Sequence, residues 1–148
     1  MKPAGASQPG PGPKQGPGPK LVPPGTPVGL GLDLVDMERF RRVLGRRPSM
    51  WERLYTEGEA GYARTFADPV PSLAARFAAK EAVMKALGVG LGAFAFTDVE
   101  VRRLPTGQPF LELSGGAHVL ATEACVGTWL LSLTHTASTA AAVALALA

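Results

Sequence analysis

The sequence predicts an α+β domain: an antiparallel sheet packed with a long central helix and shorter helices. Three observations predict it. Helical patterning fills the first half, strand-like alternation clusters late in the chain, and one long alanine-rich run, "RFAAKEAVMKALG" (Arg76–Gly88), lies between. A helical block followed by closely spaced strands favours segregated layers and antiparallel pairing over alternating βαβ units. At 148 residues the chain is long enough for one domain with its own core. Residues 1–27 read as a disordered tail and residues 28–148 as the folded domain. The tail, "KPAGASQPGPGPKQGPGPKLVPPGTP", is proline and glycine with almost no large apolar side chain, so it buries too little to offset its ordering entropy. It lacks the apolar core of a signal peptide.

The elements follow in order. "VGLGLDLVD" (Val28–Asp36) alternates, with Val28, Leu30, Leu32 and Leu34 on one face and Gly29, Gly31 and Asp33 on the other. The two glycines leave open space beside the Asp33 carboxylate. "MERFRRVLG" reads as a helix with Met37, Phe40 and Leu44 inward and Gly45 ending it. "PSMWERLYTEGEAGYARTF" reads as one or two short helices, the second capped by Thr56 with Glu59 three residues on. After the break at "DPVPS", Ser72 caps a helix over Leu73–Leu87, with Gly88 just past its end. "GVGLGAFAF" is a glycine-rich connection, and "TDVEVRRL" and "PFLEL" form a hairpin around "PTGQP". "GAHVLATEACVG" reads as a helix and "TWLLSLTHT" as a strand ending at His135. "TAAAVALALA" stays open between helix and buried strand, because alanine favours helix while the run is short and apolar throughout.

Charge and cysteine content narrow the function classes. The formal net charge is +3, and Lys2, Lys14 and Lys20 in the tail account for it; the other 12 of 15 basic residues balance 12 acidic ones. The domain is therefore not a basic one, and the overall positive charge is weak evidence for nucleic acid. The single cysteine, Cys125, excludes a disulfide framework and suits a reducing cytoplasm. No apolar run is long enough to span a membrane.

The central helix carries the first candidates. Leu73, Phe77, Met84 and Leu87 make a core stripe, while Ala74, Ala78, Glu81, Lys85 and Gly88 make a second one with Glu81 and Lys85 among small residues. The plainer reading is a surface i, i+4 ion pair. Asp33 is a second candidate, its plainer reading a cap for the next helix. Together Asp33 and Glu81 could give two hard oxygen ligands, which suit Mg²⁺ when phosphate and water complete the shell. Lys85, one turn past Glu81, could point its ammonium at the same phosphate. His135 stands among hydroxyls in "SLTHTAS", a set of phosphate donors or only turn chemistry. Gly88, Gly90 and Gly92 could offer backbone N–H groups to a phosphate or simply form a flexible loop. His118 reads as structural.

In this order, "GLGLDLVDMERF", "RLYTEGE", "RFAAKEAVMKALGVGLG", "DVEVRRLPTGQPFLEL" and "LSLTHTASTAAAVALAL" closely resemble the holo-acyl-carrier-protein synthases, the trimeric bacterial type of 4′-phosphopantetheinyl transferase. The resemblance spans Val28 to Ala148. It implies the 4′-phosphopantetheinyl transferase fold and a reaction in which the 4′-phosphopantetheine arm of coenzyme A passes to a serine of apo-acyl carrier protein, releasing 3′,5′-ADP, for fatty acid biosynthesis. It implies Asp33 and Glu81 as Mg²⁺ ligands and Lys85 beside the pyrophosphate. It places Gly88, Gly90, His135 and Thr136 at coenzyme A, and Arg39 at the carrier protein. It implies a cytoplasmic homotrimer with active sites between neighbours, and neither nucleic acid nor membrane as partner. Arg42 and Arg46 join Arg39 in an arginine-rich face that suits an acidic carrier. Two other readings stand beside this one: a transferase serving a polyketide or other multidomain synthase, and a basic binding module without chemistry.

Overall fold

A computed structural model describes residues 22–148, and the reading of a disordered tail falls largely on residues outside that range. The chain forms β1 (Pro27–Asp36), α1 (Met37–Arg46), α2 (Met50–Leu54), α3 (Glu57–Ala63) and α4 (Val70–Ala86). After a 3₁₀ turn at Phe96–Asp98 come β2 (Val99–Arg103), β3 (Pro109–Leu113), α5 (Gly115–Glu123), β4 (Thr128–His135) and β5 (Thr139–Leu147). Among the described residues the strands form two antiparallel sheets, a three-stranded one in the order β1-β5-β4 and the hairpin β2-β3. The alanine run is therefore a strand, β5, in the middle of the larger sheet. Just before β1, Gly25 N–H donates to the Ala148 carbonyl (2.6 Å), and Ala148 N–H donates to the Thr26 carbonyl (2.9 Å).

Helix α4 lies across β1 and β5, and small residues set the separation. On α4, Ala74, Ala78 and Ala82 are fully buried; on β5, Ala140, Ala142, Ala144 and Ala146 are too. On β1 a Cβ at Gly31 would overlap the Ala82 carbonyl oxygen, and one at Gly29 that of Ala86. The space beside Asp33 is therefore not open, as the alternation suggested. The backbone of α4 fills it, and this is why the strand carries glycine there. Gly31→Ala should accordingly cost about 1–3 kcal/mol through forced separation of strand and helix, read as a lower urea midpoint; an unchanged midpoint would refute the close approach.

The leucine face of β1 points the other way. Leu30, Leu32 and Leu34 are 53–66% exposed, and Leu130 of β4 and Val143 of β5 share that outer face.

Two helix boundaries differ from expectation. Helix α4 begins at Val70, not Leu73, because Pro71 sits in its first turn, where a missing N–H costs nothing. The Asp68 carboxylate accepts from Val70 N–H (3.1 Å), so Ser72 is no cap; its hydroxyl accepts from Arg76 instead (2.6 Å). Helix α1 runs through Gly45 to Arg46, and its cap is Asp36, which accepts from Arg39 N–H (2.7 Å). Two expected caps do form. Thr56 and Glu59 make a capping box on α3. Gly88 (φ +68°) ends α4, with Gly88 N–H on the Lys85 carbonyl and Val89 N–H on that of Met84.

Candidate active site

Strand β1 and helix α4 bring Asp33, Glu81 and Lys85 together. Asp33 is buried, its side chain 9% exposed, whereas Lys85 remains half exposed. The Lys85 ammonium donates to Asp33 Oδ1 (2.8 Å) and to the Leu32 carbonyl (2.9 Å). Lys85 thus pairs with a residue 52 positions away, not with Glu81 one turn back, so the pair is no simple surface i, i+4 bridge. Nor does Asp33 cap the following helix, since Asp36 does.

The second Asp33 oxygen, Oδ2, is buried and has no hydrogen-bond partner among the described residues. Glu81 is the neighbouring carboxyl, and two carboxylates repel. Burial pushes Glu81 up to about 7, the neighbouring Asp33 adds to the rise, and Lys85 opposes it. A site like this asks for a proton or a cation between the two acids. Among the described residues no cluster of three or more His, Cys, Asp or Glu is set to hold a metal. Two carboxylates alone nevertheless fit Mg²⁺, which commonly keeps water and takes substrate phosphates for the remainder of its shell.

The raised Glu81 pKa has a consequence for stability. The folded protein holds that proton more tightly than the unfolded chain, so the contribution is full below about pH 4.5 and lost as pH rises through about 7. In chelator, the unfolding free energy of wild type relative to Glu81→Gln should fall across that window and then level off. A flat difference would contradict the assignment.

A groove of about 450 Å³ between α1 and α4 opens beside Glu81, lined by Arg39, Phe40, Val43, Met50 and Phe77. On the exposed side of α1, Arg39, Arg42, Val43 and Arg46 follow one another at helical spacing. Arg42 pairs with Glu38 (2.7 Å), and the adjacent Arg41 pairs with Asp68 (2.7 Å). Arg39 and Arg46 make no ion pair among the described residues.

The other expected residues lie apart. Gly88 and Gly90 stand in the loop leaving α4, both with open space where a side chain would be. His135 ends β4 on a separate hollow of about 520 Å³, shared with Tyr62, Ser72, Arg76 and Arg103. The Thr136 hydroxyl is engaged in the β4–β5 turn, accepting from Ser138 and Thr139 N–H (3.3 and 3.1 Å). In one chain, then, the Asp33–Glu81–Lys85 group and His135 do not share a cavity.

Sequence reasoning missed two groups. Arg76 is buried at the His135 hollow, stacked on Tyr62 at 4.4 Å, and its Nε has no partner among the described residues. Lys80 and Glu59 form a fully buried ion pair at 2.7 Å. Burial pushes Lys80 down, and Glu59 opposes that shift. A signal for Lys80 existed, because it falls on the same helical stripe as Leu73, Met84 and Leu87 and so had to point inward.

Residues 29–146 match the family model described as the 4′-phosphopantetheinyl transferase superfamily. A holo-[acyl-carrier-protein] synthase of Moorella thermoacetica is 45% identical over 115 residues, covering 78% of this chain and 90% of that one. One from Salinispora arenicola is 45% identical over 120 residues, covering 80% and 97%. The crystal structure of a Bacillus anthracis holo-(acyl-carrier-protein) synthase in complex with CoA (3′,5′-ADP) superposes with a TM-score of 0.69 at 31% identity, covering 82% of this chain and 97% of that one.

Proposed function

Because this chain belongs to the 4′-phosphopantetheinyl transferase superfamily, we propose that it transfers the 4′-phosphopantetheine arm of coenzyme A to a serine of apo-acyl carrier protein and releases 3′,5′-ADP. One observation supports the assignment of the site above the others: a buried Asp33 oxygen with no partner among the described residues, in an Asp33 that neighbours a Glu81 carboxyl raised to about 7. That pair is a place for Mg²⁺, which when bound supplies positive charge to the diphosphate under attack. The chain's own residues do the positioning. Asp33 and Glu81 hold the cation, and α4's close seat on Gly31 keeps both acids on one side of the sheet. Lys85 leaves Asp33 for the phosphate leaving with 3′,5′-ADP and stabilises the charge that develops there. The Gly88–Gly90 loop and, from a neighbouring subunit, His135 and Thr136 bind the remaining phosphates.

The carrier docks on α1. Arg39 and Arg46 attract an acidic protein, and the groove lined by Val43, Met50 and Phe77 receives apolar side chains beside the serine it presents. Replacing Arg39, Arg42 and Arg46 by Glu should raise the KM for carrier by about a hundredfold, since like charges across an interface cost several kcal/mol, and leave the KM for coenzyme A almost unaltered. An unchanged carrier KM would place docking elsewhere.

The assembly proposed is a homotrimer in the cytoplasm, serving fatty acid biosynthesis. The exposed leucine face of the sheet supports the association, because monomers seldom leave so contiguous an apolar surface to water. The separation of His135 from Glu81 supports a site shared between subunits. Among the described residues no helix is long and apolar enough to cross a membrane. The reaction itself is tested by incubating the purified protein with coenzyme A, Mg²⁺ and apo-carrier, and measuring 3′,5′-ADP by chromatography. Release in step with consumption of apo-carrier is expected; coenzyme A left intact would sink the reading. Offering a polyketide-synthase carrier in the same assay separates the two carrier classes.

A further inference from the structure

Lys80 carries its ammonium into the interior of the domain. It is fully buried on α4, next in sequence to Glu81, and it is held by three acceptors: Glu59 Oε2 (2.7 Å), the Val99 carbonyl (2.7 Å) and the Phe96 carbonyl (2.9 Å). Those bonds match the full donor capacity of a lysine. Glu59 is engaged through both oxygens. Its Oε2 also accepts from Thr56 N–H (3.0 Å), and its Oε1 accepts from Val101 N–H (3.0 Å). The junction therefore joins the start of α3, the middle of α4, the 3₁₀ turn and β2.

What this junction closes is the glycine-rich loop. The loop leaves α4 at Gly88, passes Gly90, Leu91 and Gly92, and returns at Phe96. Its first end is fixed by the hydrogen bonds that terminate α4. Its middle is held lightly: Gly90 and Gly92 contact nothing where a side chain would stand, Leu91 is 74% exposed, and Ala93 N–H donates to the Gly90 carbonyl (3.3 Å), before Phe94 enters the core and Ala95 N–H meets the Asp98 carboxylate (3.3 Å). Its far end comes back to α4 through the Phe96 carbonyl on Lys80, and the Phe96 ring stacks on Phe77 of the same helix (centroids 5.4 Å apart, 20° between planes). Both ends of the loop thus hang on one helix, less than three turns apart along it.

We propose that Lys80 is a positioning residue for this loop: its ammonium, braced by Glu59, pins the loop's return to α4 and so presets the loop for coenzyme A. The inference rests on the reading that the loop binds coenzyme A. Burying an ion pair does not of itself add stability, and well-packed neutral replacements are often tolerated. Its retention here is explained by the geometry, because an apolar side chain in Lys80's place could fill the volume but could not hold the Phe96 and Val99 carbonyls.

The test uses the double variant Lys80→Met with Glu59→Gln, which removes the pair without leaving a lone buried charge. Folding is checked by circular dichroism, and hydrogen exchange and kinetics are then read on the full-length protein. Amides 88–98 should exchange faster while those of α1 stay protected. The KM for coenzyme A should rise about tenfold, the cost of ordering a loosened loop on binding, with the carrier KM within about twofold, because the α1 face is untouched. A folded double variant whose loop exchange is unchanged overturns the tie. Faster loop exchange with an unaltered coenzyme A KM leaves the tie standing but overturns the loop's role at coenzyme A, and with it the positioning. Should the variant not fold, exchange in the wild type decides. Amides 94–98 must then open only with α4, at the same denaturant dependence; opening by themselves at low denaturant would show that Lys80 does not hold them.

Discussion

Asp33→Asn should reduce arm transfer by about a thousandfold and leave the protein folded. The magnitude is that of losing a metal's charge stabilisation, several kcal/mol at about 1.4 kcal/mol per tenfold in rate. Asparagine keeps the aspartate's shape, so the Gly31–Ala82 contact is undisturbed, and its carbonyl still accepts from Lys85. It also removes one of two neighbouring acids, so the metal-free melting temperature should hold or rise. Glu81→Gln should act similarly on the rate. The pattern to look for is a collapse in turnover, worst at limiting Mg²⁺, in a protein at least as stable as wild type. A variant retaining near-full rate at low Mg²⁺ would remove Asp33 from the metal site. One that loses activity only because it unfolds would make Asp33 a structural residue.

Leu32→Asp together with Leu34→Asp should dissociate the proposed trimer and abolish transfer. Both side chains are more than half exposed on the outer face of β1, opposite the face that packs on α4. Within the sheet they are paired with Val143 and Ala141 of β5, so the patch is continuous from strand to strand. Carboxylates placed in a buried interface lose hydration without gaining a partner. Hot-spot losses of this kind weaken association by a hundredfold or more, about 2 kcal/mol or above per residue. Each monomer should remain folded, since neither side chain enters its own core. Activity should disappear with assembly, because His135 and Arg76 sit on one hollow and Glu81 on another. Sedimentation velocity and a rate assay on the same samples check this. A trimeric and active double variant would show that the leucine face is not the interface.

The local signals in the sequence were legible, and the long-range ones were not. Thr56 and Glu59 announce a capping box because both halves lie within one turn. Gly88 announces a helix end for the same reason. Alternation in β1 separated the leucines from Gly29, Gly31 and Asp33, but period two does not say which face is buried. The answer lay 50 residues on, in an α4 whose backbone needs glycine opposite it. The same helix explains β5. Its alanines look helical by propensity, yet they are small because α4 must lie close, a demand no local window contains. Pro71 resembled a helix breaker but sits where proline is harmless. Asp33, Glu81 and Lys85 stood out as an oxygen pair and an ammonium suited to a phosphate, and the family resemblance then implied their roles. That Lys85 rests on Asp33, and that Lys80 reaches Glu59, depends on how strand, helix and hairpin meet.

The central claim is that this chain moves an intact phosphopantetheine arm onto a carrier serine at a site built on Asp33 and Glu81. Intact-protein mass spectrometry of apo-carrier, incubated with the purified protein, coenzyme A and Mg²⁺, tests it most directly. The carrier should gain the mass of one phosphopantetheine, should gain nothing when its acceptor serine is replaced by alanine, and should stay unmodified with a chelator present or with Asp33→Asn enzyme. A carrier that stays apo under full conditions, or gains the arm equally with chelator, would contradict the account.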